Sequence, residues 1–173
     1  MKLEIMSQRN AENISKYLTE KTSIISIVGL DEENAQFYKN PNIDKVFRMY
    51  FYDLESDFKA SDKIYRAPIQ SDFIGLKNFI DNLDCDLLIV HCGAGQSRSA
   101  GVAAAINEYL NLGYDIFGDK RYSPNGTVYK CCLNELGIAK TKDYFEEVFN
   151  ASPQIDVYIS NDEIDERWKF SCA

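Results

Sequence analysis

The chain is short of several residue types, and each shortage excludes a class of protein. It carries one histidine, His91, in 173 residues, and none of its cysteines are paired as C-x-x-C. Structural metal sites cluster Cys and His at such spacings, so no metal and no cofactor is expected. The five cysteines outline no disulfide framework, which fits a reducing compartment. Positive charge is scarce too: 19 Lys and Arg face 27 Asp and Glu, a formal net charge of −8. That balance argues against nonspecific partnership with nucleic acid or an anionic membrane. An anionic substrate remains compatible, because a local positive bowl can sit in an acidic surface. There is no basic-then-apolar N-terminal stretch and no run of about 18 apolar residues, so a soluble, cytoplasmic protein is expected. With 45% hydrophobic and 27% charged residues, one globular domain spanning 1–173 is expected, its acidic tail from Pro153 being the least defined part.

Against these absences stands one concentrated stretch, Asp86 to Gly113, DLLIVHCGAGQSRSAGVAAAINEYLNLG. Leu87 to Val90 read as a buried strand, and an Ala-rich helix ends near Gly113. Between them runs the loop His91-Cys92-Gly93-Ala94-Gly95-Gln96-Ser97-Arg98-Ser99. A strand that feeds directly into a helix gathers the helix's unpaired N–H groups at the turn, and the helix dipole makes that turn an anion site suited to phosphate. Gly93 and Gly95 are expected to let the backbone curl with its amides inward. Arg98 adds a planar fork for two phosphate oxygens. A thiol at the base of such a bowl is expected to ionise and become a nucleophile. An inert core cysteine is the simpler reading of Cys92 alone. It does not account for the ordered set of apolar strand, His, Cys, two glycines, Arg, Ser and helix.

The rest of the chain alternates strands and helices. Strands are expected at Leu3–Met6, Thr22–Val28 and Val46–Tyr52, and helices over 10–20, over 72–82 with Ser71 as cap, from Ser123-Pro124 to Leu136, and over 141–150. The polar segment 31–44 reads as a loop with room for a short helix. In the signature helix, Val102, Ala103, Ile106, Tyr109 and Leu110 form the expected core stripe, and Tyr144, Phe145 and Val148 that of the last one. Ile164 and Trp168, four apart, suggest a final short helix. The pattern is that of an α/β domain with a mostly parallel central sheet of about 4–5 strands flanked by helices. Its ligand would bind at the carboxyl ends of the strands.

The loop resembles the HC-x5-R-[ST] signature of the cysteine-dependent protein tyrosine and dual-specificity phosphatases, particularly small bacterial and phage-type members. The resemblance is most specific over 86–113 and weaker over 46–57 and 123–136. It implies a phosphatase-like fold and metal-free hydrolysis of a phosphorylated protein or peptide through a phosphocysteine on Cys92. It assigns phosphate binding to residues 93–98, support of the loop by His91 hydrogen bonds, and assistance to the leaving sulfur by Ser99. It also implies an aspartate acid on a separate upstream loop. Asp53, Asp57 and Asp62 stand 39, 35 and 30 residues before Cys92. Asp53 ranks first, since it directly follows an apolar strand whose loop would emerge beside Cys92. Asn125, in Ser123-Pro124-Asn125-Gly126, matches a Pro-Asn pair of the same relatives and is expected to reach the loop or substrate; a plain capping turn explains it equally. Cys85 lies too far along an extended strand to pair with Cys92, and Cys131 and Cys132 read as core or boundary residues. Hydrolysis of a nucleotide, RNA end or phosphoinositide, or phosphate binding without catalysis, would suit the same loop. Tyrosine against serine or threonine preference and the oligomeric state are left open.

Overall fold

The computed structural model describes residues 1–151; the expected helix around Ile164 and Trp168 lies outside them. Four strands, β1 (Lys2–Ser7), β2 (Thr22–Val28), β3 (Ile43–Tyr50) and β6 (Leu87–Cys92), form one sheet in the order β1-β6-β2-β3. Every pairing is parallel. A short antiparallel pair, β4 (Phe58–Ala60) and β5 (Lys63–Tyr65), stands apart from it. The helices are α1 (Gln8–Ser15), α2 (Leu76–Asp81), α3 (Arg98–Tyr109), α4 (Gly126–Leu136) and α5 (Lys142–Ala151).

The two inner strands, TSIISIV and LLIVHC, are buried at every position, as near-continuous apolar runs must be when both faces of a parallel sheet are covered. Successive residues alternate faces. Leu88, Val90 and Cys92 join the larger core with α3 and α4, whereas Leu87 and Ile89 pack with Ala11 and Leu18 beneath α1. Because the strands are parallel, Ser7, Val28, Tyr50 and Cys92 all end at one edge, with Ser7 in register with Cys92 and Val28 with Tyr50. The loops that follow them share that edge.

Several boundaries differ from expectation for local reasons. Helix α1 starts at Gln8 because Ser7 caps it, its hydroxyl accepting the Asn10 N–H at 3.3 Å. It stops at Ser15, and the amides of Asn40 and Asn42 donate to the carbonyls of Ser15 and Leu18 just beyond. The segment before β3 forms no helix. In place of one helix over 72–82 there is a 3-10 turn, Gln70–Phe73, then α2, separated by Gly75 at φ 90°. Helix α4 is capped by Asn125 rather than Ser123. The β4–β5 pair was not expected, its three-residue strands being too short to show a period. Helix α3 is buried from Arg98 through Ile106 rather than along one stripe, because it lies between the sheet and α4; its run of Ala and Gly permits that close approach.

Candidate active site

Strand β6 delivers Cys92 to the carboxyl edge, and α3 begins six residues later at Arg98. The intervening backbone has its carbonyls tied to its surroundings. Gly93 O accepts from Gln8 N (3.2 Å), Gln96 O from Ser123 N (3.0 Å), and Ser97 O from Gly101 N (2.9 Å) and Asn125 N (3.3 Å). The N–H of Gly95 donates to Cys92 Sγ at 3.3 Å. Those of Ala94, Gln96 and Ser97 find no partner among the described residues. Spent carbonyls and free amides at a helix N-terminus make an anion-binding nest.

Only one of the two loop glycines has the backbone that requires it. Gly95 sits at φ 78°, and a Cβ there would lie 2.3 Å from the carbonyl carbon of Met6 and 2.4 Å from Ser7 N. Gly93 is not in the left-handed region, and a Cβ on it would meet only Arg98 Nη2, at 3.4 Å. Of the two loop glycines, the end of β1 crowds the loop at Gly95 alone.

Cys92 is buried, with Ser99 Oγ 3.2 Å from its sulfur. Arg98 is 7% exposed. Its Nη1 donates to Phe51 O at 3.1 Å, while its Nε is buried without a partner among the described residues. A buried unsatisfied donor costs about 1–3 kcal/mol, and more for a charged group, so the guanidinium is primed for an anionic acceptor.

The structure separates the three aspartates. Asp53 Oδ1 accepts from Ser97 Oγ at 2.7 Å and from Asn125 Nδ2 at 3.0 Å. Asp53 is thereby joined to the signature loop and to the N-terminus of α4. Asp57 instead accepts the N–H of Ala67 at 2.9 Å, and Asp62 is exposed in the β4–β5 turn. Both donors to Asp53 reach Oδ1. Asn125 does two jobs, because its Oδ1 also accepts Val128 N at 2.9 Å. Glu55, which the sequence did not single out, completes that cap: its carboxylate accepts from Gly126 N (2.6 Å) and Thr127 N (3.0 Å). No local pattern links residues so far apart in the chain.

His91 is the one histidine of the chain. It is fully buried on the face opposite Cys92, edge-on to the Phe37 ring at 5.7 Å. Neither ring nitrogen makes a well-aligned hydrogen bond among the described residues, but the backbone of Cys92 acts on the ring as a hydrogen-bonding partner. Burial pushes its pKa down to about 4, so the ring is neutral at pH 7. Strand alternation sets its face: a residue adjacent to Cys92 must face the other way. Cys132 is fully buried and Cys131 half-buried in α4, and burial raises both thiols.

Solved structures similar to the chain include two crystal structures. One is a crystal structure of human DUSP28, at 14% identity and a TM-score of 0.40, covering 86% of this chain and 88% of that one. The other is a crystal structure of PTPMT1, also at 14% identity and a TM-score of 0.40, covering 86% of this chain and 92% of that one. No family model and no curated protein matches the sequence. Among the described residues, no helix is long and apolar enough to cross a membrane.

Proposed function

We propose that the chain is a cysteine-dependent phosphoric monoester hydrolase of the protein tyrosine phosphatase type, acting on phosphorylated protein or peptide in the cytoplasm. The observation that carries this reading is the convergence on one loop of a buried Cys92, a guanidinium with an unpaired buried Nε, and an aspartate tied to the same loop through Ser97. Phosphate oxygens take the amides of residues 93–98 and the fork of Arg98. Cys92 Sγ attacks phosphorus in line, forming the S–P bond as the ester O–P bond breaks. Asp53 gives the leaving oxygen its proton, a contribution of about 10²–10⁴-fold for a placed acid. Water then attacks the phosphocysteine with Asp53 as base, and Ser99 Oγ, 3.2 Å from the sulfur, stabilises the departing thiolate. Amides and guanidinium act most strongly on the charge spread over the equatorial oxygens in the transition state.

Neutral side chains on Ala94, Gln96 and Ser97 favour a phosphoprotein over a polyanionic lipid or nucleotide. The test is hydrolysis of an aryl phosphate in chelator by wild type, Cys92→Ser, and the Asn variants of Asp53, Asp57 and Asp62. The expected outcome is turnover by wild type, none by Cys92→Ser, and a kcat loss of about 10²-fold or more in Asp53→Asn only. Turnover surviving in Cys92→Ser would end the reading; phosphate binding without turnover in wild type would leave a binding module.

A further inference from the structure

We infer that Glu55 is a positioning residue that locks the loop carrying Asp53 onto the start of α4, an inference that rests on the reading of Asp53 as the acid. Two carboxylates, two positions apart in that loop, meet three consecutive residues at the start of the helix. Asp53 takes the cap residue, accepting from Asn125 Nδ2 at 3.0 Å. Glu55 takes the next two: Oε1 accepts Gly126 N at 2.6 Å, and Oε2 accepts Thr127 N at 3.0 Å. The Thr127 hydroxyl adds a third tie, lying 2.8 Å from Oε2 and 3.1 Å from the backbone oxygen of Glu55. One threonine thus holds both the side chain and the main chain of Glu55.

The place is shaped for this contact. Acceptors at the first N–H groups of a helix meet donors that have no partner within it and the positive end of its dipole. A Cβ on Gly126 would stand 3.4 Å from Glu55 Oε2 and 3.1 Å from Phe149 Cζ of α5, so a side chain there would crowd both. Leu54, between the two carboxylates, is buried.

The two carboxylates differ in what the reaction does to them. The contacts of Asp53, with Ser97 Oγ and Asn125 Nδ2, fall on the group that gives and regains the proton. Their strength changes at each proton transfer, because hydrogen bonds to an ionised acceptor are the stronger ones. Glu55 takes no part in the proton transfer, and it binds backbone N–H groups. It therefore holds the loop in one place through both half-reactions. If Glu55 served α4 alone, its removal would slow every ester alike. As the anchor of the acid loop, its removal slows only those whose leaving oxygen needs the proton.

The experiment measures kcat/KM for phenyl phosphate, whose leaving oxygen needs a proton, and for dinitrophenyl phosphate, whose leaving phenolate is stable without one. The thermal midpoint is measured alongside. The proteins are wild type, Asp53→Asn, Glu55→Ala, their double variant, Thr127→Val and Thr127→Ser. The expected loss in Glu55→Ala is about tenfold on phenyl phosphate and under about twofold on dinitrophenyl phosphate. Thr127→Val shows a smaller loss of the same selectivity, and Thr127→Ser restores the wild-type value. The double variant loses no more than Asp53→Asn alone. Thr127→Val keeps the carboxylate and both backbone donors, so it decides the matter if Glu55→Ala does not stay folded. Equal losses on the two esters, or losses that multiply in the double variant, would overturn the inference. If Asp53→Asn loses phenyl phosphate selectively while Glu55→Ala matches wild type, only the inference falls. If Asp53→Asn itself spares phenyl phosphate, the acid reading falls and the inference with it.

Discussion

Asn125 donates from Nδ2 to Asp53 Oδ1 at 3.0 Å while its own Oδ1 accepts the N–H of Val128 at 2.9 Å. One side chain both starts α4 and holds the proposed acid, and substitution can separate the two. Asn125→Ala removes both contacts. It is expected to cost about 1 kcal/mol of stability together with a fall in kcat. Asn125→Ser retains a competent cap but has no amide to offer Asp53. Its thermal midpoint should stay near that of wild type while kcat falls as in Asn125→Ala. Calorimetry alongside steady-state kinetics checks this; a normal kcat in Asn125→Ser would show that Asp53 does not depend on Asn125.

Gly95 and Gly93 are expected to respond differently to alanine. Gly95→Ala meets both a positive φ and the backbone at Met6 and Ser7, which should destabilise the fold by at least about 2 kcal/mol and abolish phosphate binding. Gly93→Ala meets only Arg98 Nη2, at 3.4 Å, and should remain folded. Paired urea titrations of the two variants measure the difference.

His91 makes stability depend on pH in a definite window. Its pKa falls from 6.5 to about 4 because the ring is buried, so the folded state binds the proton less readily than the unfolded chain. This contribution is complete above pH 6.5, declines as pH drops through the interval, and levels off below about 4. Across that range it amounts to about 3 kcal/mol. His91→Phe, which keeps a buried aromatic ring against Phe37, should flatten the profile; an unchanged slope in the variant would place the proton uptake elsewhere.

Thiol chemistry should distinguish the cysteines. Burial raises Cys131 and Cys132, making them poor nucleophiles at neutral pH. Brief iodoacetamide treatment at pH 7 followed by peptide mass spectrometry is expected to modify Cys92, to be blocked there by inorganic phosphate, and to leave Cys132 intact until the protein unfolds. Modification of Cys92 that ignores phosphate would contradict a shared site.

Much of this protein was determined by its sequence alone, for local reasons. The all-apolar runs of β2 and β6 could only be inner strands of a covered sheet, and β2 spans the very residues Thr22–Val28 that its β-branched run defines. Strand, glycine-bearing turn and helix are continuous in the chain, so the strand–loop–helix unit with Cys92 and Arg98 was legible before any fold was known. The position of Asp53 just after an apolar strand was legible too, because parallel strands must deliver their following loops to one edge.

Only the tertiary structure decided what depends on contacts between distant segments. Three aspartates at similar spacing differ because Ser97 and Asn125 reach one of them while Ala67 takes another. Gly95 alone needs its conformation because β1, nearly ninety positions earlier, ends against it. His91 turns away from the sulfur of Cys92 by strand alternation and packs edge-on to the Phe37 ring. Glu55 acts on the backbone N–H groups of Gly126 and Thr127, far along the chain. Side-chain chemistry and period are properties of short stretches, whereas the choice of partner is set by how the sheet stacks its loops.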